Sequence, residues 1–476
     1  MPVTYHPEKG KKRVVILGAG FGGAYCAQAL EKAASRLGLE VVLVDQRNYF
    51  IFYPLLVEAG TGGLEPRHAV VSVHDFVRKG QFIMAEVAAV RPEKREVELR
   101  MTGTDLTHRL AYDHLVVALG STTKFPPIPG LREHAFELKS IGDSVAFRDR
   151  GLQMLEIANT LEDKELRREL LHFVVVGGSF TGVEIAGEFH AFLHEARRHF
   201  PGVERDDIQV TLCDFANRIL PTLDEDLARY AHAQLEKRGV RILLKTTLEQ
   251  LHERRAVLSN GETLRTRTVL WCAGIASPER VQEMPFEKDR NGYLLTERDL
   301  RLVGHADIWG IGDCALNLDP EGNPYPATAQ HAIRQGKHAA NNILRLLEGR
   351  GEALPCDIVA QGTLAAIGCR TAVAKVFGIK LSGFAAWFLW RTVYLMKMPT
   401  LMRKLRLATD WTVQLFFRRD IVQLGVHRIP RETPASPPQQ GNPERETPEE
   451  YAADEVPEVE PGTGSAAGSS PGRSRS

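Results

Sequence analysis

The sequence predicts an α/β protein in which one βαβ unit is inserted into the frame of another. Three observations predict it. A strand, a glycine turn, a helix and a second strand ending in an acid follow one another at residues 13–45, and the series recurs at 172–214. Short apolar strands ending at glycine appear again as "LVVALG", "VLWCAG" and Ile308–Ile311. Forty-one glycines punctuate the chain, many for a helical protein and normal for an α/β one.

In chain order, Arg13–Leu17 is an apolar strand running into Gly18-Ala19-Gly20-Phe21-Gly22-Gly23. A helix follows to about Leu37, then a strand, Glu40–Val44, that ends in Asp45. Leu115–Leu119 is the next short strand. The second unit has strand His172–Val176, turn Gly177-Gly178-Ser179-Phe180-Thr181-Gly182, helix Val183–Phe200, and strand Ile208–Cys213 ending in Asp214. Val269–Ala273 is a further strand. Ile308–Ile311, followed by Gly312-Asp313, returns to the first unit. The order predicts two Rossmann-type domains, one in two segments (12–125 and 290–350) and the other at 165–285. From Leu381 to Leu424 aromatic and aliphatic residues mix with Lys and Arg, and 355–427 is expected to be a C-terminal membrane-associated region. Residues 430–476 are rich in Pro, Glu, Ser and Gly, bury no apolar surface, and are expected to be a disordered tail.

Composition bounds the function. A chain of 476 residues suits two or three domains, and 43% hydrophobic with 25% charged residues fits a soluble globular protein. The formal net charge of zero supplies no field for nucleic acid, so no such partner is expected. The six cysteines (Cys26, Cys213, Cys272, Cys314, Cys356 and Cys369) contain no CxxC pair. That argues against a metal site, an iron–sulfur cluster or a dithiol motif, and suits free thiols in a reducing compartment. The N-terminal stretch has no apolar run, so no secretory leader is expected. No run of about 18 uncharged apolar residues exists to span a bilayer.

The glycine turns carry the chemistry. Gly18, Gly20 and Gly23 match G-x-G-x-x-G: a tight turn, a close approach to a pyrophosphate, and close helix–strand packing. The helix N-terminus adds amides and a positive dipole end, and Asp45 can accept from ribose hydroxyls. In the second turn Ser179 replaces the middle glycine and is small enough for a pyrophosphate to pass. Asp214 would bind a 2′-hydroxyl and repel a 2′-phosphate, favouring NADH, although Arg218 lies nearby. Two such sites imply one bound flavin and one exchanging nicotinamide. Asp313, after a glycine at a strand end, is expected to open a helix and either hold a flavin nucleotide or simply cap that helix.

With these pieces in order, the chain resembles the type II NADH dehydrogenases, single-subunit NADH:quinone oxidoreductases that pump no protons. The resemblance spans residues 12–427 and rests on "VVILGAGFGG", "NYFIFYPLLVEAGTGGLEPRH", "VVVGGSFTGVEIAGE", "RILPTLDEDL", "VLWCAGI", "IWGIGDCA", "PATAQHAIRQGKHAA", "GTLAAIGCRTAV" and "SGFAAWFLW". It implies FAD held by Gly18, Gly20, Gly23, Asp45 and Asp313 in the two-segment domain, and NADH held by Gly177, Gly178, Gly182 and Asp214. Glu184 would lie beside the nicotinamide, or else be an ordinary acid of the first helical turn. Ala273 and Gly274 would lie against the cofactors, and Tyr53-Pro54-Leu55-Leu56 would approach the flavin ring or pack the core. The family's quinone-side motif is Ala-Gln-x-Ala-x-Gln. Here Ala329 and Gln330 match, but Arg334 stands where the second glutamine belongs. That cation would face reduced flavin and quinol, or else solvent.

The resemblance further implies a quinone partner, ubiquinone or menaquinone, and a peripheral place on the cytoplasmic face of the inner (cell) membrane. The C-terminal segment agrees: Trp387, Trp390, Tyr394, Trp411, Phe416 and Phe417 stand among eight Lys and Arg, as in a helix lying on an anionic leaflet. The alternative is a face that caps the soluble core. A homodimer is left open. Two other functions compete. A sulfide:quinone oxidoreductase would need a redox-active cysteine pair, for which only Cys356 and Cys369 offer themselves. The other is a redox-responsive flavoprotein that binds NADH and acts mainly as a binding partner.

Overall fold

The computed structural model describes residues 3–425. The expected tail at 430–476 lies outside the described residues, as do the last two positions of the 355–427 segment.

The first apolar strand is Lys12–Leu17, whose last five residues are buried on both faces. It lies in an eight-stranded sheet, between Leu39–Asp45 and His114–Val117, both parallel to it. Parallel strands covered by helices on both faces read as continuous apolar runs, and "RVVIL" and "VVLV" do so. Ile308–Gly310 adds itself parallel to His114–Val117 at the edge, so the late segment returns to the first sheet. The helix Phe21–Leu37 leaves the glycine turn and packs against the helix Ala329–Leu347. The crossing is close: a Cβ on Gly336 would stand 2.2 Å from the carbonyl oxygen of Gly22.

The second unit is a four-stranded parallel sheet in the order Val240–Leu244, Gln209–Asp214, His172–Val176, Thr268–Trp271. Its helix is Phe180–Ala196, extended by a 3-10 turn at Arg197–His199. The chain between Gly312 and Ala329 departs from expectation. Gly312-Asp313 does not open a long helix but forms a single 3-10 turn, Gly312–Cys314. Gly312 has φ +71°, which turns the chain out of the strand, and Ala315–Leu316 then pairs with Leu294–Leu295. The long helix starts only at Ala329.

The C-terminal region is more than an interfacial segment. Gly362–Gly368, Thr371–Val376 and Ile379–Ser382 form a three-stranded antiparallel sheet. Two helices follow, Gly383–Lys397 and Leu401–Phe416. Their faces divide sharply. Trp387, Trp390, Leu407 and Trp411 are buried in the core shared with the first sheet, whereas Phe384, Phe388, Leu401, Met402, Leu405 and Phe416 are exposed. The tryptophans expected on a membrane rim thus face inward. Arg391, expected among the solvated cations, is sandwiched with its guanidinium 4.3 Å from the Trp387 ring centre and 4.8 Å from that of Trp411. Burying the flat guanidinium between indoles keeps its charge over two π-faces and beside Glu58. No described helix is long and apolar enough to cross a membrane.

Candidate active site

The two glycine turns share one design. Gly18 has φ +99° and Gly177 φ +114°, and a Cβ would strike Ala118 O at 2.3 Å in the first and Cys272 C at 2.8 Å in the second. Only glycine fits both the angle and the space. The last glycine of each turn packs helix on strand: a Cβ on Gly23 or Gly182 would meet the carbonyl oxygen of Gly18 or Gly177 at 1.8 Å. By contrast, a Cβ on Gly20 would meet nothing within 4 Å. That open face suits a ligand's approach.

Each acid ties its strand to its turn. Asp45 Oδ2 accepts from Ala19 N at 2.7 Å and Oδ1 from Arg47 N at 2.9 Å. Asp214 Oδ2 accepts from Gly178 N, and Oδ1 from Ala216 N at 2.7 Å. The two sites therefore repeat each other atom for atom, turn amide to one oxygen and the amide two residues on to the other. Burial raises the Asp45 pKa, against the lowering effect of those amides. Arg218 turns aside, donating to the carbonyl of Pro221 at 2.7 Å.

A cavity of about 650 Å³ opens at the first turn. Gly18, Gly20, Asp45, Tyr53, Asp313 and Ala329 all line it, so the structure brings together most of the residues assigned to FAD. Gly23 stands behind them in the helix–strand contact. Asp313 is joined there by two residues that sequence reasoning missed. Ser121 Oγ donates to Asp313 Oδ2 at 3.1 Å, and Lys139 Nζ donates to Ser121 Oγ at 3.2 Å. Burial raises the Asp313 pKa and lowers that of Lys139, each partly offset by the other's charge. The residues fit FAD: an open glycine face, an acid at the strand end, and an acid–lysine pair with donors and acceptors to spare. The second turn reaches the same cavity through Thr181. Ala273 lies against Gly177 through its backbone and Gly274 beside Lys124, while their neighbour Ile275 lines the cavity.

The helix Ala329–Leu347 presents two faces. Ala329 and Ala332 meet the cavity. Gln330 and Arg334 lie to the side: Arg334 Nη1 donates to Gln330 Oε1 at 3.3 Å, and Gln330 Nε2 donates to Gly362 O at 3.4 Å. Lys397 comes close enough for the Arg334 charge to lower its pKa further, after burial. The next residue, Gln335, is buried and its Oε1 accepts from Gly312 N at 2.8 Å. Sequence reasoning passed over it, although a stripe was readable at Ala332, Gln335, Gly336, Ala339, Ala340 and Ile343.

Glu184 is not among the residues that line that cavity. Its Oε1 accepts from Ala366 N at 3.0 Å, on the C-terminal sheet. Loss of hydration pushes its pKa up to about 8, with Glu188 and Glu58 adding to the rise. Glu58, another residue not singled out in advance, accepts from Trp411 Nε1 at 2.7 Å, and burial pushes its pKa up to about 7. The six cysteines are free. Cys356 is held at Arg298 and Cys369 lies near Arg238, Glu188 and Arg419, so the two stand in different surroundings.

Comparisons with known proteins fit this arrangement. The pyridine nucleotide-disulphide oxidoreductase model matches residues 12–336, and the NDH2 C-terminal domain model matches residues 361–420. A type II NADH:quinone oxidoreductase of Staphylococcus epidermidis is 32% identical over 389 residues, covering 80% of this chain and 94% of the relative. A probable NADH dehydrogenase of Dictyostelium discoideum is 28% identical over 418 residues, covering 86% and 91%. NDH2 of Plasmodium falciparum, solved in complex with NADH, superposes with a TM-score of 0.79 at 21% identity over 86% of this chain and 99% of that one. The sulfide:quinone oxidoreductase of Aquifex aeolicus superposes less well, with a TM-score of 0.67 at 17% identity over 86% and 96%. Both superpositions speak to the fold alone. By its matched regions and its identity to these relatives, the chain belongs to the pyridine nucleotide-disulphide oxidoreductases and, within them, to the type II NADH:quinone oxidoreductase family.

Proposed function

We propose that this chain oxidises NADH and reduces a membrane quinone through bound FAD, without pumping protons. One observation carries the reading. Two glycine turns, each tied to the acid of its own second strand, meet at a single cavity walled by the helix Ala329–Leu347. The chemistry that FAD would supply when bound is hydride acceptance from NADH and two-electron transfer to quinone.

The chain binds and positions. Gly18 and Gly20 let the backbone approach a pyrophosphate, and Gly23 fixes the helix behind them. Asp45 would take ribose hydroxyls on its remaining lone pairs. Asp313, with Ser121 and Lys139, would hold the nearer polar edge of the flavin nucleotide. Gly177, Gly178, Gly182 and Asp214 would hold NADH, with Ala273 and Gly274 bordering that turn. Glu184 has one oxygen committed to Ala366 and burial raises its pKa to about 8, so we assign it to holding a proton rather than to orienting the nicotinamide. Gln330 and Arg334 would receive the quinone at the mouth beside Gly362.

The quinone is membrane-borne, and the exposed apolar row from Phe384 to Phe416 would seat the protein peripherally on an anionic leaflet. We place that leaflet on the cytoplasmic face of the cell membrane. Stopped-flow mixing tests the whole: NADH should bleach the flavin absorbance and a quinone analogue should restore it. An enzyme whose flavin NADH leaves coloured would rule the reading out.

A further inference from the structure

A second cavity, of about 660 Å³, lies away from the flavin cavity. Its walls come from the helix Phe21–Leu37, from residues 75–79, and from the joint between the two C-terminal helices. Lys32, Arg78, Lys79, Lys397 and Lys404 line it, against only two carboxylates, Glu31 and Asp75. One carboxylate is already engaged: Glu31 Oε1 accepts from Lys79 N at 2.6 Å and Gly80 N at 2.5 Å. Among the described residues, none of the five cations forms an ion pair. Arg78 Nε instead donates to the carbonyl of Asp75 at 3.3 Å. Five like charges around one hollow repel each other, and an anion would relieve that repulsion.

The rim says which anion. Met396, which lines the cavity, is 66% exposed, and Leu401 and Met402, which follow Thr400 on the second helix, are 72% and 59% exposed. The floor is apolar, with Met398 buried and the rings of Tyr25 and Phe76 in edge contact at 4.9 Å. A soluble phosphate would leave the apolar rim in water. A phospholipid would place its phosphate among the lysines and its acyl chains along Met396, Leu401 and Met402. The geometry points to this cavity as a binding site for the headgroup of an anionic phospholipid, fixing the depth and rotation of the protein on the bilayer. The inference rests on the membrane seating proposed above.

The test uses the full chain loaded with FAD and sedimented with vesicles of phosphatidylcholine, with or without phosphatidylglycerol. The expected preference for the anionic vesicles is about tenfold or more. Lys32→Glu with Lys79→Glu should abolish that preference while sparing binding to phosphatidylcholine and bleaching by NADH. A control pair of exposed cations outside the cavity, Arg406→Glu with Arg418→Glu, should retain most of it. Equal losses from both pairs would mean diffuse attraction and overturn the site. Inorganic phosphate that binds by equilibrium dialysis and erases the preference at matched ionic strength would overturn the lipid assignment in favour of a free anion. Failure of the unmutated protein to bind either vesicle would instead remove the membrane seating itself.

Discussion

The side-chain oxygen of Gln335 receives the backbone N–H of Gly312 at 2.8 Å, pinning the turn that carries Asp313 to the helix that carries Gln330 and Arg334. One side chain thus couples the wall that would hold the flavin nucleotide to the wall that would meet the quinone. Gln335→Leu leaves the Gly312 amide without its acceptor, a loss of about 1–3 kcal/mol when such a group is buried. The variant should purify with less flavin per protein and unfold at a lower temperature. Gln335→Glu keeps an acceptor and should recover part of both. Full flavin content and unchanged melting in the leucine variant would remove Gln335 from this role.

Arg334 leans over Gln330 rather than into the flavin cavity. Arg334→Gln should leave bleaching by NADH unchanged and alter only the recolouring by quinone. Stopped-flow traces separate the two halves. Equal effects on both, or on neither, would place Arg334 outside the quinone mouth.

Asp214 closes the second glycine turn through Gly178 N and Ala216 N, and in the proposed NADH site a 2′-phosphate would meet its like charge. Asp214→Asn keeps one acceptor oxygen and removes the charge. The ratio of kcat/KM for NADPH over NADH should rise by roughly tenfold, equivalent to about 1.4 kcal/mol. An unchanged ratio would assign discrimination to other residues.

Gly336 meets the carbonyl of Gly22 where the two long helices cross. Gly336→Ala must push them apart, and such overpacking commonly costs about 1–3 kcal/mol. Because Gly22 lines the flavin cavity, loss of flavin should accompany loss of stability, read by absorbance ratio and thermal melting. A variant as stable and as yellow as the parent would show that the crossing yields without strain.

Glu58 and Glu184 supply a pH dependence of defined sign. Burial raises their pKa values to about 7 and about 8, above the ordinary glutamate value of 4.5, so the folded protein keeps protons that the unfolded chain releases. Their contribution to stability is therefore complete below about pH 4.5, falls as pH rises, and is gone once pH passes their folded values. Melting temperature should drop between about pH 5 and 8.5. Glu58→Gln, which still accepts from Trp411, should flatten the lower part of that decline, and Glu184→Gln the upper part. Parallel curves for parent and variants would show that neither carboxyl holds its proton.

The sequence alone determined the local pieces. Gly18 and Gly177 can be read because no side chain tolerates their angle and contacts, and Asp45 and Asp214 because an acid must close each strand. Both units were legible for that reason, as was the family. Phase along the helix also lay in the sequence, since Gln335 falls in the small-residue stripe and Arg334 does not. Tertiary structure decided the partners that come from distant segments. Ser121 reaches Asp313 across 192 residues and brings Lys139 with it, and no local period announces them. Glu58 is one acid in an apolar stretch until Trp411 and Arg391 close over it from the far end of the chain. The same closure turned the tryptophans inward and left phenylalanine, leucine and methionine outside. A hydrophobic residue records only that it avoids water. Whether it does so against the core or against lipid depends on which surface the rest of the chain brings to it.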